Sequence, residues 1–296
     1  MQINTIAVIG GGTMGAGIAM VTAKAGLQTI LIEKTQDLAE AAEENMTREM
    51  DAQIARWGMT ESEKKLVLTN LTVGIDIQTV HDADLVITAV PDELALQKQL
   101  LSQTNALCKP ETIFSSVTGV LSITELATAL EHPEKMLGLH FLNPVFKTKL
   151  VEIVRGFRTS DDTYDTGKRF INSLGKKSIE VFESPGFVTT RVIVPLLNEA
   201  IYALLEGVAS AEDIDMAMKL GYNMQMGPLE LADRIGLDTL LNFMNHLFRE
   251  TGELKFRPCP SLKQYVRAKQ LGVKTGQGFF TYDAKTGKKL PSQFPG

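Results

Sequence analysis

Short apolar runs and amphipathic stretches alternate through most of the chain. Residues 5–9 are apolar and β-branched and stop at glycines, which predicts a buried strand. Residues 14–24 carry small side chains on one side and end before Gly26, which predicts a helix. A second buried strand is predicted over 29–33, and a long polar helix over about 37–56. Further strands are expected at 71–73, 85–90, 112–116, 136–140 and 150–154, with helices at 94–107 and 122–130. Near-continuous apolar strands that alternate with helices predict an α/β fold, a doubly wound parallel sheet covered on both faces. The pattern changes at Ser184-Pro185-Gly186, beyond which long helical periods dominate. The predicted division is therefore 1–184, a dinucleotide-binding Rossmann domain, and 185–296, an all-helical domain. The stretch 191–205 is apolar on nearly all sides, so it is expected to be buried, in part against a second subunit. Pro195 within it predicts a kink or an early break. Ser210 and Asp213 mark a helix start, Gly221 its end, and Pro228 the next start.

Composition narrows the field. The chain has 296 residues, 44% hydrophobic and 22% charged, with 30 Lys+Arg against 35 Asp+Glu and a formal net charge of −5. This is a globular composition with ample material for a core. The mild acidity argues against a nucleic-acid surface. The N-terminal run has no basic leader and no apolar stretch near membrane length, so neither a signal peptide nor a membrane span is expected. Two cysteines, Cys108 and Cys259, are too few and too distant for a disulfide framework or a zinc cluster; no metal site is expected, and a reducing cytoplasm is the natural location.

Two groups of residues carry chemistry. Gly10, Gly12 and Gly15 form G-x-G-x-x-G between the first strand and the first helix, with Thr13 and Met14 inside the turn. Glu33 ends the next strand, about 20 residues on. Gly10 permits the tight turn, Gly12 lets a pyrophosphate approach the backbone, and Gly15 lets helix and strand pack closely. The helix N-terminus offers free N–H groups to phosphates. A Glu33 carboxylate accepts from ribose hydroxyls and repels a 2′-phosphate, so NAD is favoured over NADP; Lys34 next to it softens that preference. The second group is Gly138-Leu139-His140-Phe141-Leu142-Asn143-Pro144, followed by Leu150-Val151-Glu152-Ile153. His140 ends an apolar strand at the edge where such folds bind ligands. Glu152 stands where an aliphatic residue would be cheaper. If the two strands are neighbours, the carboxylate holds one imidazole tautomer and leaves the other nitrogen to take a proton. An alcohol that loses hydride to NAD needs such a base. Asn143 can donate to a carbonyl or to the nicotinamide ribose. His81, His132 and His246 have no companion motif.

These residues, together with Ser-Pro185-Gly-Phe, Gly227-Pro-x-Glu-Leu and Lys274-Thr-Gly-x-Gly-Phe-Phe-x-Tyr, resemble the 3-hydroxyacyl-CoA dehydrogenase family, including its bacterial 3-hydroxybutyryl-CoA dehydrogenases. The resemblance spans essentially the whole chain. It implies a Rossmann domain, a helical domain that forms a homodimer, NAD as oxidant, and a catalytic pair at His140 and Glu152. It also implies that Asp92 is a cofactor-side acid and Lys274 a late lysine near the nicotinamide.

Three departures bear on the substrate. The resemblance places the family's substrate-binding serine at Gly119, in Val117-Thr118-Gly119-Val120. It places an asparagine where Thr190 stands before Arg191. Losing a donor from a site built around hydrogen bonds typically costs about 1–3 kcal/mol. Ser116 and Thr118 are the nearest remaining hydroxyls. The helix after Glu33 carries only Arg48 and Arg56, with acids between them, where relatives carry several lysines that meet CoA phosphates. An acyl-CoA substrate is the reading the family implies. A short hydroxyacyl group on an acyl carrier protein, as in polyketide extender-unit synthesis, is the competing one. A catalytically weakened NAD-binding structural or regulatory protein is the third.

Overall fold

The computed structural model describes residues 1–284 and 286–291. The chain forms two compact units that divide between Phe187 and Val188.

The first unit is built on one sheet. Its strands are β1 (Thr5–Ile9), β2 (Gln28–Ile32), β3 (Leu71–Gly74), β4 (Leu85–Thr88), β5 (Ile113–Ser116), β6 (Met136–Phe141), β7 (Leu150–Arg155) and β8 (Lys177–Phe182). The helices are α1 (Thr13–Lys24), α2 (Gln36–Ala55), α3 (Glu61–Asn70), α4 (Leu94–Asn105), α5 (Ile123–Ala127) and α6 (Asp161–Ser173). Among the described residues the strand order is β3-β2-β1-β4-β5-β6-β7-β8. The chain reverses its winding between β1 and β4, the switch point at which doubly wound sheets leave a crevice. Alternate residues of β1 serve two cores. Ile6 and Val8 pack with Ile18, Met46 and Met50 on one face; Ala7 and Ile9 pack with Val86, Leu101 and Phe114 on the other. Each such fully buried aliphatic side chain contributes about 1.5–3 kcal/mol.

The sheet departs from the all-parallel expectation in one place. β7 runs antiparallel to β6, and β8 follows β7 in parallel. The short connection 142–149 explains it, because a parallel return needs a crossover of a dozen or more residues. The pattern reading did not anticipate α3, α6 or β8.

The second unit holds α7 (Thr189–Leu205), α8 (Ala211–Gly221), α9 (Pro228–Ile235), α10 (Leu237–Thr251) and α11 (Pro260–Arg267). Its core gathers Val194, Leu197, Ile201, Leu229, Leu240, Met244 and Phe256. Of the kink or early break expected at Pro195, the break does not occur, since Pro195 lies inside α7. The helix passes through it because the flanking Val194 and Leu197 are buried, and their packing offsets the lost backbone bond. The unit is not wholly helical: isolated bridges tie Gly272, Gln277, Thr281, Tyr282 and Lys289 into a compact segment. Val192, Val208, Leu220, Tyr222 and Leu254 remain exposed. No helix among the described residues is long and apolar enough to cross a membrane.

Candidate active site

Strand register sets the site. Ile9 pairs with Thr88, Thr88 with Ser116, and Ser116 with Gly138, so one row of residues runs across the carboxyl ends of β1, β4, β5 and β6. Two residues further along each chain stand Gly11, Val90, Thr118 and His140. The glycine turn and the histidine therefore leave the same edge of the sheet.

The glycine turn has the shape a pyrophosphate requires. Gly10 has φ +99°, and a Cβ there would lie 2.7 Å from the Ala89 carbonyl. A Cβ on Gly15 would strike the Gly10 carbonyl, so helix and turn pack only without one. A Cβ on Gly12 would meet nothing within 4 Å, which leaves open space against the helix start. Gly12 caps α1 without a side-chain hydrogen bond, and no acid stands in the first turn. The N–H groups and dipole of α1 thus face open space that suits an anion, and the residues fit a dinucleotide. Glu33 is half-buried and accepts from the Gly11 N–H at 2.5 Å and from the Lys34 N–H at 3.1 Å, which aims its carboxylate at the turn.

A groove of roughly 810 Å³ opens beside this turn. Gly11, Gly12 and Thr13 form one wall, and Arg48 of α2 and Arg56 just after it another. Asn143, on the loop after β6, lines it as well. Of the predicted cofactor residues, the groove joins Gly12, Thr13 and Asn143, together with the two arginines. Met14, next in the turn, is half-buried in α1 and packs on the core.

His140 and Glu152 are direct register partners across β6 and β7. This answers the condition left open by the sequence: the strand reversal makes them neighbours on one face. The imidazole Nδ1 hydrogen-bonds Glu152 Oε2. Glu152 is fully buried and His140 is 7% exposed. A charge so buried is tolerable only beside a partner of this kind. The His140 ring also packs against Phe187, centroids 5.5 Å apart and tilted by 59°. With Nδ1 held by the carboxylate, Nε2 is the nitrogen left for proton exchange.

The other expected residues divide. Ser116 is fully buried, and its hydroxyl donates to Gln97 Oε1 at 2.6 Å, where Thr88 also donates at 2.8 Å. Ser116 therefore points into the protein, and its expected substrate role is corrected to a structural one. Thr118 is buried, and its oxygen accepts from the N–H groups of Val120 at 3.1 Å and Leu121 at 2.9 Å, shaping the loop that holds Gly119. Asp92 is exposed on the loop between β4 and α4. In the second unit, Thr190 is buried in the first turn of α7. Lys274 is ion-paired with Asp238 at the start of α10, 2.5 Å from Oδ1.

Three buried polar residues were missed. Gln97, inside the helix predicted over 94–107, and Lys176, outside any predicted element, are buried polar groups. Asp233 is the third. It is buried on α9 and accepts from the N–H groups of Phe279 (3.0 Å) and Phe280 (2.9 Å) and from the Tyr282 hydroxyl (2.9 Å). A Cβ on Gly278 would fall 2.0 Å from its Oδ1. The late Gly-x-Gly-Phe-Phe-x-Tyr signature is thus explained by wrapping around one acid. Burial pushes the Asp233 carboxyl up to about 6.

Comparison with known proteins agrees with this geometry. Residues 5–184 match the model for the 3-hydroxyacyl-CoA dehydrogenase NAD binding domain, and residues 186–282 match that for the C-terminal domain of the same family. A probable 3-hydroxybutyryl-CoA dehydrogenase of Bacillus subtilis is 41% identical over 286 residues, covering 97% of this chain and 100% of the relative. The solved structure of the (S)-3-hydroxybutyryl-CoA dehydrogenase PaaH1 from Ralstonia eutropha is 37% identical, with a TM-score of 0.89, covering 95% of this chain and 100% of that one. FadB2 of M. tuberculosis superposes with a TM-score of 0.93 at 34% identity, covering 96% and 100%. The chain belongs to the 3-hydroxyacyl-CoA dehydrogenase family.

Proposed function

We propose that this protein is an NAD-dependent dehydrogenase that interconverts a 3-hydroxyacyl-CoA thioester, of the 3-hydroxybutyryl class, and its 3-oxoacyl form. The observation that carries the reading is the buried His140–Glu152 pair at the carboxyl edge of the sheet, in the same unit as the phosphate-binding turn. Bound NAD supplies the hydride acceptor; Gly10, Gly12, Thr13, Met14 and Gly15 hold its pyrophosphate side and Glu33 its adenosine ribose. His140 Nε2 takes the proton of the substrate 3-hydroxyl as C3 becomes a carbonyl. Glu152 keeps the ring in the productive tautomer and balances the imidazolium. Asn143 positions the reacting oxygens or the nicotinamide ribose. A positioned base of this kind contributes about 10²–10⁴-fold. Arg48 and Arg56 line the groove and suit the phosphates of CoA. Within the first unit, Thr118 and Gly119 take the acyl end and Asp92 the nicotinamide side.

The Bacillus subtilis and Ralstonia eutropha relatives described above are named as 3-hydroxybutyryl-CoA dehydrogenases, which supports CoA as the carrier and gives the carrier-protein alternative no support. Retention of a buried, register-locked pair speaks against a protein that has lost catalysis. We propose a homodimer through the exposed apolar residues of the second unit, including Val192, Val208 and Leu220, and a cytoplasmic location. The test is NADH formation from 3-hydroxybutyryl-CoA. The reading predicts turnover with NAD at least tenfold more efficient than with NADP, and at least tenfold more efficient on CoA than on the same acyl group carried by a carrier protein. No NADH with any 3-hydroxyacyl-CoA, despite NAD binding, would contradict it.

A further inference from the structure

We infer that Lys176 is a positioning residue that clamps the 142–149 loop and so fixes Asn143 at the edge of the groove beside the glycine turn. The inference rests on the reading of Asn143 given above. The loop is the short link that lets β7 reverse beside β6, and it carries Asn143 straight after the strand that carries His140. Its wall faces the glycine turn: Asn143, Pro144, Val145, Phe146 and Lys147 all line the same groove as Gly12 and Thr13.

The loop has little hold of its own. Inside it, the Lys147 and Thr148 N–H groups both donate to the Pro144 carbonyl, at 3.0 Å each. Lys176 supplies the tie from outside. Its Nζ donates to the Val145 carbonyl at 2.6 Å and to the Thr148 carbonyl at 2.7 Å, bracketing the turn from both ends. The side chain is 7% exposed, an unusual place for a lysine, and its partners are carbonyls rather than a carboxylate. Burial pushes the ammonium below the usual lysine range, yet either protonation form keeps two N–H donors for the two carbonyls. Val145, the clamped residue, is buried and sits over Gly17 of α1, where a Cβ would come within 3.0 Å of it. The clamp therefore presses the loop onto the helix whose N-terminus holds the phosphate position. His140 and Glu152 are held separately, by strand register, their own hydrogen bond and the packing of Phe187.

The experiment combines exchange and kinetics on the full chain. In Lys176→Met, amide hydrogen exchange should quicken within residues 142–149 while β6 and β7 keep wild-type protection. The kcat/KM for the hydroxyacyl thioester should fall at least tenfold. In an Asn143→Ala background the same substitution should cost less than threefold, because the clamp acts through Asn143. Lys176→Gln, which keeps a shorter donor, should recover part of the loss. Exchange that is unchanged in the loop would overturn the inference. So would a loss as large in the Asn143→Ala background as in the wild type, or failure of both variants to fold, which would make Lys176 a core support. A silent Asn143→Ala with a loosened loop in Lys176→Met would leave the clamp standing and refute the role assigned to Asn143 instead.

Discussion

Glu152 and Asp233 are both carboxylates buried to within 1% of full enclosure, one in each unit, and they do different work. Glu152 faces a ring that can gain and lose a proton. Asp233 faces two backbone N–H groups and a phenol, donors that stay as they are at working pH. A buried acid beside a titratable partner at a sheet edge can couple its charge to a reaction. A buried acid ringed by fixed donors can only hold chain segments together. The difference lies in the partner, and neither burial nor residue type reveals it.

Substitutions at the two sites should therefore separate activity from stability. Asp233→Ala leaves three buried donors without an acceptor and should destabilise the second unit by about 3–5 kcal/mol, read by chemical denaturation. Glu152→Gln should instead leave the unfolding midpoint within a few degrees while kcat falls about 100-fold, because the ring loses its anionic partner. An Asp233→Ala protein of wild-type stability, or a Glu152→Gln protein of full activity, would erase the distinction.

A smaller effect sharpens the comparison through pH. Folding raises the Asp233 carboxyl to about 6 from an ordinary value near 3.8, so the folded chain takes up its proton first. Its contribution to stability is complete below the unfolded value and is lost as pH rises through about 6. From pH 7 to pH 5 the protein should gain about 1 kcal/mol from this group. Asp233→Asn should remove that increment, and an unchanged difference between the two pH values would refute the assignment. The smallest expected effect concerns thiols. Burial pushes Cys108 up to about 11, and Cys259 is fully buried, so native protein should react with a thiol reagent far more slowly than unfolded protein.

Much of this arrangement was legible in the chain. The glycine turn, Glu33 and the His140 strand were readable because each combines a local pattern with a backbone demand, and Gly10 at positive φ is such a demand. The reversal of β7 was hidden, since an apolar strand looks alike in either direction and only the short loop before it signals the turn. α6 was missed because its buried face includes Thr163, Thr166 and Gly167 rather than an aliphatic stripe. α3 did carry a signal, the Thr60–Glu63 capping box, but buries only Val67 and Asn70. Ser116 was misplaced because alternation along β5 cannot say that Gln97 waits beneath it. Lys176 was invisible, because adjacent lysines read as a solvated turn.

Catalysis turns on His140 as the base. The most direct measurement is kcat of His140→Gln with 3-hydroxybutyryl-CoA, taken alongside its affinity for NAD and its unfolding midpoint. A fall of about 10²–10⁴-fold in kcat is expected, with NAD affinity and stability close to wild type. Turnover within tenfold of the wild type would contradict it.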